Sequence, residues 1–442
     1  MTPANTSKHI VIVGGGFAGI ACARGLARHD DVRVTLLDKN NYHQFQPLLY
    51  QVATSQLSPG DVAFALRKLL SKHGNVDVKL GEVTTVDTQA KTVGTSTGEV
   101  YRGDYLVLAV GSQPNFFNTP GADQHSFPLY SLDDAKRLRS RIVQVFEDAD
   151  REPKLIEEGA LNFVIVGAGP TGVETAGAIA ELLHGTMTTE YPDLPVGAMK
   201  IYLVDHGQTV LTPFSDKAHD YAEKVLQQVG VQLRLQTGVK EIAPGHATLS
   251  DGTTIKTRAV IWAGGLKAAQ LAGSTGLPLG HGGRIDVLPD LTAKGAPGVY
   301  VLGDFANIPN PAGSGTLPQL GSVAQQAGQW AAKNILADIA GRPRAPFQYR
   351  DKGIMAMITR TAAIVEIGEK RIELHGTLAA DAWRGVHVAL LSGVRNKIDA
   401  FVHWSLAHFT IDRGPQLLDR SDTPRINWDD DDRIESNPAG AS

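Results

Sequence analysis

The chain has a single cysteine, Cys22, in 442 residues. That count excludes a disulfide framework and an internal redox disulfide, and makes a reducing compartment the default. No uninterrupted apolar run reaches the roughly 18 residues that a spanning helix needs, so no transmembrane helix is expected. Met1 to Lys8 is polar and lacks the apolar centre of a signal peptide. An excess of one charge is missing too. Forty-two basic against 46 acidic side chains leave a net −4, which points away from nucleic acid. No metal site is expected. Asp429 to Asp432 stand in a row, and Arg420 to Ser442 reads as a solvated, disordered tail. At 42% hydrophobic residues, the rest is long enough for two or three globular domains.

What the chain does have is one glycine pattern, written twice. Gly14-Gly15-Gly16-Phe17-Ala18-Gly19 follows the run Ile10-Val11-Ile12-Val13, and Gly167-Ala168-Gly169-Pro170-Thr171-Gly172 follows Phe163-Val164-Ile165-Val166. Glycines at these spacings allow a tight turn, close approach of backbone to a pyrophosphate, and packing of a helix against its strand. The phosphates then sit at a helix N-terminus, where free amides favour negative charge. A carboxylate should end the next strand and bind ribose hydroxyls. Asp38 fits 24 residues after Gly14, and Asp205 fits 38 residues after Gly167, with the turn-rich stretch His184 to Met199 taking up the difference. One copy alone could be a structural turn. Two copies predict two bound dinucleotides, with electrons passed between them.

The order along the chain is nested. The first unit ends in the strand Tyr105 to Val110 and the turn at Gly111, and the second ends in Ala259 to Ala263 with Gly264-Gly265. A third apolar strand, Gly298 to Leu302, closes on Gly303-Asp304 and suggests that the first unit resumes there. The fold class expected is α/β: two Rossmann-like dinucleotide-binding domains, the second inserted in the first, plus a C-terminal region ending in an amphipathic helix. The divisions are residues 8–115 with 275–345, then 116–274, then 346–418, with a disordered 419–442.

In three blocks, Asn41 to Ala53, Gly167 to Glu174 and Ala324-Gln325-Gln326-Ala327-Gly328-Gln329, the chain resembles the two-dinucleotide-binding-domain flavoproteins. Within them it is similar to the type II, non-proton-pumping NADH dehydrogenases. Tyr349-Arg350-Asp351-Lys352-Gly353 and Arg395-Asn396-Lys397 match as well, so the likeness spans about residues 8 to 418. It implies FAD in the first unit, held by Gly14, Gly16, Phe17, Ala18, Gly19, Asp38 and Lys39. Pro47, Gly111, Gly303 and Asp304 are implied there too, with Asp304 at the ribityl hydroxyls, although aspartate also caps helices well. It implies NADH, as substrate, in the second unit with Gly167, Gly169, Pro170, Thr171, Gly172, Asp205 and Gly264. A carboxylate at 205 should repel a 2′-phosphate, which favours NADH over NADPH, with His206 as a partial offset.

The same resemblance places Glu174 near nicotinamide and flavin, as a positioning or proton-handling carboxylate whose pKa burial would raise. The alternative is a carboxylate that merely complements its helix dipole or bonds a backbone amide. Gln325 and Gln329, four apart on one helical face, are implied at the quinone, although they could equally bond a flavin edge or backbone. Lys352 is implied beside them, against the ordinary fate of a loop lysine in solvent. At the C-terminus, Val394, Ile398, Phe401, Val402, Trp404 and Phe409 project to one half of a helix. Asn396, Asp399, His403 and Thr410 project to the other, with Arg395, Lys397 and Arg413 flanking. That layout suits a membrane surface, or packing on the protein itself or on a homodimer partner. Asp381, Arg384 and His387 interrupt the preceding stretch and suggest a weaker attachment.

The activity implied is NADH:quinone oxidoreduction, peripheral to the cytoplasmic side of a cell membrane. A reductase of the same fold with a soluble acceptor, or a flavin-based redox sensor, remains open. Sulfide:quinone oxidation, which relies on several cysteines, is disfavoured.

Overall fold

The computed structural model describes residues 7–311, 313, 315–368, 370–409 and 417–418. The expected tail, Thr410, Arg413 and the side chain of Phe409 lie outside the described residues. A strand without polar alternation suits a sheet buried on both faces. Lys8–Val13 (β1) is such a strand, with Ile10, Val11 and Ile12 fully buried. It pairs in parallel with Val32–Asp38 (β2), which pairs with Val76–Leu80 (β3), and on its other side with Tyr105–Leu108 (β4).

The second sheet repeats this arrangement with Phe127–Pro128 (β5), Asn162–Val166 (β6), Lys200–Val204 (β7), Val231–Arg234 (β8) and Ala259–Trp262 (β9). Its order is β5-β9-β6-β7-β8, parallel throughout. Val299–Val301 (β10) then returns to pair with β4, giving the first sheet the order β10-β4-β1-β2-β3. All five strands of the second sheet lie in the chain between β4 and β10. The second unit is inserted in the first.

Among the helices, Phe17–Leu26 (α1) leaves the first glycine loop, and Leu49–Ala53 (α2) and Pro59–Val62 (α3) follow β2. Pro170–Leu182 (α4) leaves the second loop, and Gly321–Ile339 (α5) packs along α1. Cys22 on α1 is fully buried, and burial pushes its thiol up to about 12. The stretch His184 to Met199, expected as turns, begins instead as helix. It runs through a π turn at Leu183–Met187 and on to Glu190. Leu183 and Met187 are fully buried anchors, and no proline stands between Pro170 and Pro192.

The C-terminal part is an antiparallel sheet of Gly353–Thr359 (β11), Ala362–Ile367 (β12) and Ile372–His375 (β13), followed by Gly376–Leu390 (α6) and Val394–Phe409 (α7). One expectation changes here. Trp404 and Asn396 both point inward, not to opposite faces. Asn396 Nδ2 donates to the carbonyls of Gly60, Asp61 and Ala63 at 2.9, 3.0 and 3.1 Å, and Trp404 Nε1 donates to Gln51 Oε1 at 2.7 Å. The outer face keeps Val394, Ile398, Phe401, Val402 and Leu406 exposed. On α6 the polar residues divide between the interior and the surface. His387 is buried, Arg384 pairs with Asp381 at 2.6 Å and donates to the Arg360 carbonyl, and Leu378, Val386 and Leu390 remain outside.

Candidate active site

The two glycine loops are built alike. Gly14 and Gly167 end their strands at φ of +105° and +101°, a region open to glycine at little cost. A Cβ on Gly19 would fall onto the Gly14 carbonyl, and one on Gly172 onto that of Gly167, so each helix can start this close only with glycine. Space in front of Gly16 and Gly169 is open. Asp38 accepts the Gly15 and Asn40 N–H groups at 2.5 and 2.7 Å. Asp205 accepts those of Ala168 and Gly207, both at 2.6 Å. Each acid therefore braces its own loop from the tip of the next strand. Burial pushes the Asp38 pKa up, against the pull of those two amides.

A cavity of about 1180 Å³ runs from the first loop toward the second. Gly14, Gly16, Phe17, Ala18, Asp38 and Lys39 line one part of it, and Pro47, Gly111, Gly303 and Asp304 line another. Pro170, Thr171 and Glu174 reach it from the second unit. Gly19, Gly167, Gly169, Gly172, Asp205 and Gly264 do not line it. Gly19 and Gly172 face their own loops, and a Cβ on Gly264 would meet the Trp262 indole. Asp304 sits in the turn Gly303–Phe305 after β10 and accepts the Ser112 hydroxyl at 2.9 Å. It caps no long helix, since α5 begins only at Gly321. Burial pushes its carboxyl up. Gln46 also lines the cavity, and its buried Oε1 has no partner among the described residues.

Glu174 lies one turn into α4 and is buried. Its Oε1 accepts the Met357 N–H of β11 at 3.1 Å. The approach of β11 depends on Gly177, where a Cβ would fall onto the Ile358 carbonyl oxygen. Burial drives the Glu174 carboxyl up to about 8, while the Met357 amide holds it back. A carboxyl with that value exists in both protonation states near neutral pH, as acid–base work requires. Tyr50 lines the same cavity, and burial and the nearby Glu174 charge both raise its pKa. Gln51 Nε2 donates to the Tyr50 hydroxyl at 3.0 Å, and Trp404 donates in turn to Gln51. Sequence reasoning left Tyr50 and Gln51 unassigned, although both lie in the block Asn41 to Ala53.

A second cavity, of about 1410 Å³, abuts the first and is lined by Gln325, Gln329 and Lys352 together with Ile354, Val386 and Leu390. Phe17, Pro47, Pro170, Met355 and His387 line both cavities. The intervening Gln326 clamps α5 to the Lys352 loop. Its Nε2 donates to the Arg350 carbonyl and its Oε1 accepts the Arg350 N–H, each at 3.0 Å. The Ser322 and Tyr349 hydroxyls meet at 3.0 Å one turn earlier. Asp351 is held by Arg371 at 3.2 Å, leaving Lys352 exposed. The structure thus gathers Gln325, Gln329 and Lys352 on one wall, apart from Glu174 but adjoining it.

The profile of the pyridine nucleotide-disulphide oxidoreductase family matches residues 8–328. The type II NADH:quinone oxidoreductase Ndh of Mycobacterium tuberculosis is 36% identical over 420 residues, covering 92% of this chain and 89% of that protein. Among solved structures, the NDH2 of Plasmodium falciparum in complex with NADH superposes with a TM-score of 0.84 at 18% identity, over 93% of this chain and 100% of that one. The sulfide:quinone oxidoreductase of Aquifex aeolicus shares the fold at a TM-score of 0.69 and 20% identity, over 88% and 92% of the two chains.

Proposed function

The chain belongs to the pyridine nucleotide-disulphide oxidoreductase family and, within it, to the type II NADH:quinone oxidoreductases. From that premise we propose that it oxidises NADH and delivers the two electrons to a membrane quinone, with FAD resident in the first cavity. The single cysteine leaves no internal disulfide to act as acceptor.

The residues of the first cavity suit FAD. Open space in front of Gly16, a loop braced by Asp38, the buried Asp304 and the orphaned Gln46 Oε1 form a cradle of both apolar and hydrogen-bonding character. Gly14, Gly16 and Asp38 would face its ADP half, with Gly19 letting α1 start close against the loop. Phe17, Ala18, Lys39, Pro47, Gly111, Gly303 and Asp304 would line the remainder. Bound there, FAD would supply two-electron chemistry at its ring. Gly167, Gly169, Pro170, Thr171, Gly172 and Gly264 would hold NADH. Asp205 would select it over NADPH through its negative charge, with a partial offset from His206, whose Nδ1 lies 3.5 Å from Asp205 Oδ1. Glu174 positions the nicotinamide end and holds or releases a proton.

Gln325 and Gln329 would present amide donors to quinone carbonyls, with Lys352 at the rim. The observation that carries this reading is the adjoining pair of cavities, one with the buried Glu174 and one with the glutamine wall. Alignment of two reactants across such a seam is the protein's main contribution to rate. The exposed apolar faces of α6 and α7 would rest on the cytoplasmic surface of a cell membrane or meet a second copy. The reading is non-electrogenic, and among the described residues no helix is long and apolar enough to cross a membrane. Residues 8–115 with 275–345 form the FAD part, 116–274 the NADH part, and 346–418 the membrane and dimer part.

Purified protein carrying FAD should oxidise NADH rapidly only when quinone is added, and NADPH should serve much less well. Bleaching of the flavin by NADH without its recovery on adding quinone would refute the acceptor assignment.

A further inference from the structure

Seven residues line both cavities, and six of them, Phe17, Pro47, Pro170, Leu320, Gly321 and Met355, offer no polar side-chain group beyond a thioether. The seventh is His387. Among the described residues it is the one titratable side chain at this seam. Its ring is fixed on every side the structure describes. It stacks on Trp383 with centroids 3.7 Å apart and planes 20° apart, and Phe45 meets it edge-on at 6.0 Å. Nδ1 lies 2.8 Å from the Trp383 carbonyl oxygen. A carbonyl can only accept, so Nδ1 carries the hydrogen. Nε2 has no partner among the described residues, although the side chain is 93% buried, its relative exposure being 7%.

The seam therefore holds a rigid imidazole with its second nitrogen unspent. Burial lowers the His387 pKa to about 4, so the ring is neutral near pH 7 and that nitrogen bears a lone pair. The opposite wall is chemically different. The amides of Gln325 and Gln329 and the Lys352 ammonium can all donate toward a carbonyl. A quinone offers only carbonyl acceptors, whereas its reduced form offers hydroxyl donors.

We propose that Nε2 of His387 is the hydrogen-bond acceptor for a ring hydroxyl at this seam, so that the site prefers a hydroxylated aromatic head group over one bearing only acceptors. The proposal rests on the quinone reading and deepens it. The α5 wall receives the carbonyls of the substrate, and the α6 wall stabilises the hydroxyl of the product. His387 is thus a specificity-determining residue that favours the reduced ring. A neutral hydrogen bond of this kind corresponds to roughly a fivefold preference in affinity.

The test uses the FAD-loaded enzyme and two redox-inert competitors of quinone, an alkylated naphthol and its methyl ether. The wild type should bind the naphthol roughly fivefold more tightly than the ether. In His387→Phe the two inhibition constants should become equal. His387→Gln, whose Oε1 can accept a hydrogen bond, should keep a preference for the naphthol. Equal inhibition constants in the wild type, or an undiminished preference in His387→Phe, would overturn the proposal while leaving the quinone reading intact. Failure of both compounds to compete with quinone would remove the quinone reading and this proposal with it. The wild-type ratio and the glutamine variant decide the matter even where the phenylalanine variant does not fold.

Discussion

The loops at Gly14 and Gly167 are two castings of one device, and they part company one turn into their helices. Both use a left-handed glycine at the strand end, a glycine pressed on that residue's carbonyl, and an aspartate bracing the loop from the next strand. Ala21 stands on α1 where α4 carries Glu174. The partners differ accordingly. α1 is covered by α5, with Gly328 pressed on the Ala18 carbonyl and apolar side chains of both helices packed together. α4 is covered by β11, whose Met357 amide is spent on a carboxylate. On the proposed reading the same cradle holds FAD in one unit and NADH in the other, and the structural difference lies in what packs on the helix.

Breaking each loop in turn should give the largest effects, and unequal ones. Gly19→Val and Gly172→Val each force a side chain into a carbonyl at a cost of about 1–3 kcal/mol. The first should yield protein that has lost its flavin absorbance. The second should keep its flavin and lose bleaching by NADH. Loss of flavin in both would erase the distinction between the units.

Glu174→Gln probes the divergence itself. The folded-state value of about 8 lies above the ordinary 4.5, so the native state holds this proton more tightly than the unfolded chain. That contribution to stability is complete below about pH 4.5 and is lost as pH rises through about 8, a change of at most about 5 kcal/mol. Wild-type stability should fall across that window relative to Glu174→Gln, as followed by urea unfolding at several pH values. Parallel pH profiles would mean that the carboxyl titrates normally.

A smaller effect should separate the two bracing aspartates. Asp205→Asn should lower the preference for NADH over NADPH roughly tenfold, about 1.4 kcal/mol. Asp38→Asn should leave that ratio unchanged and weaken FAD retention instead.

The loops, their strands and the insertion were legible because each depends on local chemistry. Glycine spacing, an apolar run and a carboxylate at the strand tip all lie within a few tens of residues. What stayed hidden depends on distant partners. Glu174 could be placed on its helix, but the amide that meets it is 183 residues away. Asn396 reads as a solvent-facing residue until the carbonyls of Gly60 to Ala63 are seen beneath it, more than 330 residues earlier. His387 looks like an interruption of an apolar stretch, and hydropathy cannot reveal that it closes the seam between two cavities. Gln325 and Gln329 were legible as a shared face, whereas the clamp formed by Gln326 was not, since its partner is backbone.

The central claim is that the two adjoining cavities run separate halves of one reaction. Stopped-flow measurement of both halves in Gln325→Ala/Gln329→Ala tests it most directly. Flavin reduction by NADH should proceed at the wild-type rate, and flavin reoxidation by quinone should slow by roughly tenfold or more, the loss of about one hydrogen bond per glutamine. Equal slowing of the two halves, or of neither, would contradict the account.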